Sequence, residues 1–220
     1  MKTYVIFLRG INVGGKNKIA MADLRTFLEK LGYGNVVSYI NSGNVIVDSG
    51  KTATAIEDEI EQELVKTFKF DSALIKILAL THQQLQAVVD DMPKEFSQDP
   101  ADYYRDIVFL IKISEQEAFA VFDPLEGVDK VWVGKGVIYS QRLGTLRTKS
   151  RLGKIIGTPP YKSMTIRTIG TVNKLLGIMD SRQSPSTIRC LHLLRLAGSL
   201  TDLCSGCPVL SDTFSGPKSY

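Results

Sequence analysis

Apolar positions change period repeatedly along the chain, and each change marks an element. Residues 2–11 contain a β-branched and aromatic run, Tyr4-Val5-Ile6-Phe7-Leu8, that reads as a strand. From Met21 to Gly32, the residues Met21, Leu24, Phe27, Leu28 and Leu31 recur at helical spacing, and Gly32 and Gly34 end the helix. Val36 to Ile40 and Val45 to Val47 are short strands around Asn41-Ser42-Gly43-Asn44, whose Gly and Asn tolerate positive φ in a hairpin turn. Thr54 to Phe68 places Ile56, Ile60, Leu64 and Phe68 on one helical face with acids on the other, and an apolar strand follows at Ala73 to Leu80.

After a helical spacer at Thr81 to Met92 and a polar loop from Pro93 to Pro100, the same order begins again. Tyr104 to Lys112 reads as a strand and Glu115 to Phe122 as a helix. Val131 to Val133 and Val137 to Ser140 form a hairpin turning at Gly134-Lys135-Gly136. Ser150 to Ile156 is a short helix ended by Gly157 and Pro159-Pro160, Met164 to Arg167 a strand, and Thr171 to Met179 a last helix. Element order repeats although residues do not. The expected fold is therefore α+β, with two ferredoxin-like (βαββαβ) subdomains built on antiparallel sheets. Their expected limits are 1–80 and 103–179, with a spacer at 81–102 and a tail at 180–220. In a right-handed split βαβ sheet, strands one and two run the same way and strand three runs back. The loop after strand one and the hairpin between strands two and three then emerge at the same end.

Composition agrees with a packed core. The chain has 44% hydrophobic and 23% charged residues, which excludes disorder, collagen and coiled coil. The first apolar run stops at Arg9 with no small-residue cleavage pattern. No stretch approaches the roughly 20 apolar residues of a bilayer span. A cytoplasmic protein without a membrane span is expected. Cys190, Cys204 and Cys207 all lie near the end of the sequence, so the body is no disulfide scaffold.

Charge is segregated under a net +4. Residues 1–47 carry 6 basic and 2 acidic side chains, 48–129 carry 7 and 18, and 130–179 carry 10 basic and no acidic ones. Such segregation fits either a surface for an anion or two halves that attract each other.

The convergence of loops places a first candidate site at one rim. Its residues are Arg9, Asn12, Gly14, Gly15, Lys16, Lys18, Ser42, Gly43 and Asn44, cations and amides suited to an anion. Gly10 to Lys16 matches G-x-x-x-x-G-K after a strand, as in phosphate-cradling loops. However, Asn17 stands where the Mg²⁺-binding hydroxyl belongs, and the helix starts only near Met21. Tight-turn glycines and a non-hydrolytic anion contact both remain open. A second candidate surface is basic: Arg147, Lys149, Arg151 and Lys154 within residues 142–154, together with Arg167, interleaved with hydroxyls that suit phosphate oxygens. Val45-Ile46-Val47 lacks the aromatic platform of an RRM-type module, so any RNA contact would run through phosphates.

Several runs carry a family resemblance: Leu8-Arg9-Gly10-Ile11-Asn12-Val13-Gly14-Gly15, Lys18 with Met21-Ala22-Asp23-Leu24, and Ser42-Gly43-Asn44-Val45. Ser150-Arg151-Leu152-Gly153-Lys154, Thr165-Ile166-Arg167 and Thr171-Val172-Asn173-Lys174-Leu175 extend it. Over about residues 1–179 the chain resembles the bacterial domain-of-unknown-function family 1697. The resemblance implies two ferredoxin-like α+β subdomains and brings no activity, substrate or cofactor. Family members typically carry Asn-Trp-Asn where this chain has Thr168-Ile169-Gly170, and the tail from Asp180 is unlike the family.

Other constellations have plain explanations. Cys190, His192 and the Cys204-x-x-Cys207 pair could ligate zinc, but they lie in the unfamiliar tail, and no metal or cofactor is expected. Arg189, His192 and Arg195 with interleaved Ile188, Leu191, Leu194 and Leu196 form a basic amphipathic pattern there, fit to touch a membrane or a partner or, more plainly, to dock on the domain itself. His82 suits a solvated position at a helix start. Glu57, Asp58, Glu59, Glu61 and Glu63 form a solvated helix surface or face the basic half. No Ser/His/Asp or Cys/His arrangement is visible in the body. The expected function is binding of a phosphate-bearing small molecule or nucleic acid. A phosphate-transfer or hydrolytic enzyme using the Gly-rich loop and a protein-interaction or self-association module are the alternatives.

Overall fold

The computed structural model describes residues 1–71, 75–97 and 102–182. The cysteines, His192 and the basic amphipathic pattern of the tail lie outside them. In chain order the elements are β1 (Lys2–Arg9), α1 (Met21–Lys30), β2 (Gly34–Tyr39), β3 (Asn44–Ser49), α2 (Ala53–Phe68), β4 (Lys76–Thr81), α3 (His82–Asp90) and α4 (Lys94–Ser97). They continue with β5 (Tyr103–Leu110), α5 (Glu115–Phe119), β6 (Asp129–Gly134), β7 (Val137–Leu143), β8 (Met164–Thr168) and α6 (Ile169–Asp180). The strands form two four-stranded antiparallel sheets, ordered β2-β3-β1-β4 and β6-β7-β5-β8. The repeat of element order is thus a repeat of sheet order. It extends to single hydrogen bonds: Leu8 N–H donates to the Gly43 carbonyl at 2.8 Å, and Leu110 N–H to that of Gly136 at 3.0 Å.

Strand β1 is apolar on both faces because both are covered. Its residues Tyr4, Ile6 and Leu8 pack with Val45, Val47, Ile77 and Ala79 beneath α1 and α2, which contribute Leu24, Phe27, Leu28, Ile56, Ile60 and Leu64. On the opposite face, Val5, Phe7 and Ile46 join a core with Ile107, Phe109, Val137 and Tyr139 of the second sheet. Helices α3 and α6 complete it through Leu85, Val88, Val172, Leu175, Leu176 and Met179. The Phe7 and Phe109 rings meet at 4.7 Å between centroids, so the sheets touch face to face. The outer face of the second sheet packs Val108, Leu110, Ile138 and Met164 with Ala118 and Ile155. Residues Met1–Arg182 consequently form one compact unit.

The predicted spacer helix is a structural member of the shared core. Thr81 caps it in a capping box with Gln84, while Tyr139 Oη donates to the Val88 carbonyl at 2.7 Å. His82 has a more specific place than a solvated helix start: its Nε2 meets Asp180 Oδ1 at 2.6 Å, joining the start of α3 to the end of α6.

Between β7 and β8 the structure corrects the expectation of a helix at Ser150 to Ile156. Three 3₁₀ turns occupy the connection, Gly144–Lys149, Leu152–Ile155 and Pro160–Ser163. Their bonds reach three residues back, as in Lys154 N–H to the Arg151 carbonyl and Ile156 N–H to that of Gly153. Gly153, Gly157 and Pro159-Pro160 deny this stretch a continuous α-helical ladder. Among the described residues, no helix is long and apolar enough to cross a membrane.

Candidate functional site

At one end of the first sheet, the loop Gly10–Ala20 meets the hairpin loop Ile40–Gly43. The longer loop is held by its asparagines. Asn12, at φ 53°, accepts from Ile19 N–H at 2.9 Å and donates to the carbonyls of Ile19 at 3.0 Å and Asn41 at 3.2 Å. Asn17, at φ 46°, donates to the Gly10 carbonyl and accepts from Asp71 N–H. Short amide side chains tolerate left-handed backbone and replace missing ladder bonds, which explains their use here.

Gly14 and Gly15 both have positive φ and form the two-residue turn of a miniature hairpin bridged at Val13 and Lys16. Both positive φ values mark a type I′ turn. Helix α1 starts at Met21 after Ala20, whose side chain makes no cap. The G-x-x-x-x-G-K stretch therefore does not wrap around a helix N-terminus, and Lys16 is exposed on the hairpin.

The two loops form one wall of a cleft of about 600 Å³, and the second half supplies the other. Leu8 to Val13 and Ile40 to Ser42 face Tyr161 and Met164 to Arg167. Arg9, half-buried, donates from Nε to the Met164 carbonyl at 2.9 Å and lies 5.3 Å from the Tyr161 ring centroid. Burial pulls its pKa below the ordinary arginine value, against the opposing influence of Tyr161.

Arg167, expected on the basic surface, is instead buried at 8% exposure. Its Nε donates to Asn44 Oδ1. Its Nη1 donates to Thr165 Oγ1 at 2.9 Å and the Ile166 carbonyl at 2.7 Å. Its Nη2 reaches the carbonyls of Leu8, Ser42 and Gly43 at 3.3, 3.1 and 3.4 Å. The guanidinium also sits 5.0 Å from the Phe7 ring centroid. Burial lowers its pKa to about 10, so it stays charged at neutral pH. Asn44, placed at the rim by the sequence, is likewise buried, its amide donating to the Tyr39 carbonyl and Ser42 Oγ. Gly43 is required by geometry: at φ 72°, a Cβ would lie 2.6 Å from the Leu8 carbonyl oxygen.

The structure thus brings Arg9, Asn12 and Ser42 to the cleft, with Gly43 and Asn44 supporting its wall. Gly14 and Lys16 stay on the exposed hairpin, and Lys18 lines a separate depression with Gly15, Asp23 and Phe68. The remaining basic residues are not cleft residues. Arg151 and Lys154 both pair with Asp123, at 3.2 and 3.3 Å, and Arg142 pairs with Asp106 at 2.8 Å. Arg147 lies 5.6 Å from the Tyr104 ring centroid, and Lys149 is exposed. The acidic α2 pairs with Lys51, Lys66, Lys76 and Lys112, none of them from the basic segment. Among the described residues, no group of His, Cys, Asp and Glu is placed to hold a metal ion.

Sequence reasoning missed Ile40, Asn41, Tyr161, Met164 and Thr165 as cleft residues. Alternation along β8 does place Thr165 and Arg167 on one face, but which rim that face meets is decided by packing.

Comparison with known proteins agrees with this architecture. The solved structure of a conserved bacterial protein from Streptococcus pneumoniae is similar, with a TM-score of 0.70 and 27% identity, covering 81% of this chain and 98% of that one. No curated protein matches. The profile described as protein of unknown function (DUF1697) matches residues 1–139, which include the Arg9 to Gly15 and Ser42 to Val45 runs. The Ser150 to Lys154 and Thr165 to Leu175 runs lie beyond that span. On more than half of its length, the chain belongs to the DUF1697 family of proteins of unknown function.

Proposed function

We propose that this protein binds a small phosphate-bearing anion, without catalysis, in the cleft between the two halves. The observation that carries the reading is the cleft lining: two guanidinium groups, Arg9 and Arg167, and no carboxylate among the described lining residues. Positive charge held away from bulk water acts at a lower effective dielectric than on an open surface. The volume and concavity suit a small molecule. We also read the halves as ferredoxin-like subdomains, 1–80 and 103–179, joined by 81–102; the identical strand orders and the matched Gly43 and Gly136 hydrogen bonds support that reading.

Phosphate transfer has less support, because the Gly-rich loop closes as a hairpin and Lys16 is not among the described residues lining the cleft. The basic 142–154 segment is also less favoured, since three of its cations are engaged by Asp106 and Asp123.

Calorimetry on the full chain with inorganic phosphate, AMP, single-stranded RNA and duplex DNA across a salt series tests the proposal. A small phosphate is expected to bind, and Arg9→Gln to weaken it about tenfold or more, while Arg151→Ala leaves it unchanged. Equal affinity in a folded Arg9→Gln variant, or no binding of either small phosphate, overturns the proposal. Steeply salt-dependent binding of the polymers alone, reduced by Arg147→Ala, would replace it with a nucleic-acid surface.

A further inference from the structure

Ile40 is a β-branched residue at φ 49°, a conformation that such side chains rarely adopt. Nevertheless it is 51% exposed and lines the cleft. Local strain is retained where the surrounding structure over-determines it, most often at ligand clamps and switch regions. Val13, on the other loop, is 68% exposed and lines the same cleft. Each stands next to one end of the Asn12 Nδ2 to Asn41 carbonyl bond, so that bond sets the spacing of the two loops that carry them.

Leu8, Ile11, Met164 and Ile166 add further apolar side chains to the lining. Three of the side chains able to read a nucleobase are already engaged, while the amide of the exposed Asn41 is not engaged among the described residues. Asn12 uses both amide atoms on Ile19, Ser42 Oγ accepts from Asn44, and Thr165 Oγ1 accepts from Arg167. Tyr161, the single ring among the described lining residues, already lies against Arg9.

We infer that the cleft takes an anion with a straight aliphatic body, its head in the field of Arg9 and its chain held between Val13 and Ile40. This rests on the anion reading above and narrows it from phosphates in general to aliphatic ones, with a carboxylate head as the alternative of the same chemistry. Arg9 is shared by both readings, whereas Val13 and Ile40 belong to this one alone.

The test is calorimetry of the full chain with inorganic phosphate, the butyl, hexyl and octyl monophosphates below micelle formation, octanoate, and AMP. Affinity is expected to rise by up to roughly fourfold per methylene, leaving octyl phosphate about tenfold or more tighter than AMP. Octanoate compared with octyl phosphate identifies the preferred head, and either result keeps the aliphatic body. Ile40→Asn suits left-handed backbone and is expected to fold without loss of Tm. It should flatten the chain-length dependence while inorganic phosphate binding persists, and Val13→Ser should do the same. A flat series in the parent protein, or an unchanged slope in both variants, overturns the inference. If inorganic phosphate binds with no chain-length dependence, only this inference falls; if no anion in the panel binds, the anion reading falls with it.

Discussion

The two halves share a sheet order but differ at the end where the cleft lies. In the first half the connection from β1 to α1 is the long loop Gly10–Ala20, and the hairpin loop runs from Ile40 to Gly43. In the second half the corresponding pieces shrink to Ile111–Ser114 and to Lys135-Gly136. The strand end is closed identically in both, by an amide reaching a hairpin glycine carbonyl. One scaffold therefore carries an elaborated rim and a trimmed one, and the cleft forms only where the elaborated rim meets β8 of the other half. The difference places candidate function in the loops and stability in the sheets beneath them.

The sharpest way to break the comparison is at the residue that joins the halves. Arg167→Met would leave Asn44 Oδ1 and the Leu8, Ser42 and Gly43 carbonyls short of a donor. The expected loss is about 4 kcal/mol in urea unfolding. Arg142→Met, in a more exposed pair with Asp106, should cost only about 1 kcal/mol. Equal losses would mean that the junction is not specially dependent on Arg167.

The equivalent glycines sharpen it next. Both have positive φ, 72° at Gly43 and 70° at Gly136. A Cβ at Gly43 collides with the Leu8 carbonyl, whereas nothing lies within 4 Å of one at Gly136. Gly136→Ala should cost about 1 kcal/mol and Gly43→Ala about 3 kcal/mol. Matching values would show that the elaborated rim yields as easily as the trimmed one.

The smallest effect is in acid. Burial tends to raise the Asp48 pKa, but hydrogen bonds from Asn35 and Thr3 and the charge of Arg182 outweigh it and hold the carboxyl below its ordinary value. A depressed carboxylate contributes stability that is present above its unfolded pKa and is lost as pH falls through the folded one. The penalty of Asp48→Asn, measured by thermal unfolding, should therefore be largest near neutrality and fade in acid. In the second half burial raises the Asp106 pKa despite Arg142. That contribution has the opposite sense and is lost as pH rises, so Asp106→Asn should gain on the parent protein as pH rises through the raised value.

The hydrophobic pattern alone determined most element positions, the repeated element order and the meeting of the two first-half loops. Period and turn chemistry are local, and the direction of successive strands follows from chain connectivity. It anticipated positive φ at Gly43 but not at Ile40, because a β-branched side chain gives no local signal for that conformation. It read the 150–156 stretch as helical because apolar spacing does not distinguish α from 3₁₀ turns over so few residues. Tertiary structure alone decided that Arg167 would be a buried strut, that Asn44 would receive it, and that Tyr161, Met164 and Thr165 would complete the cleft. Each of these depends on which faces of two sheets meet across a shared core. Burial of a charged side chain follows from the acceptors gathered around it, and Arg167 draws most of its acceptors from residues more than a hundred positions away in the chain.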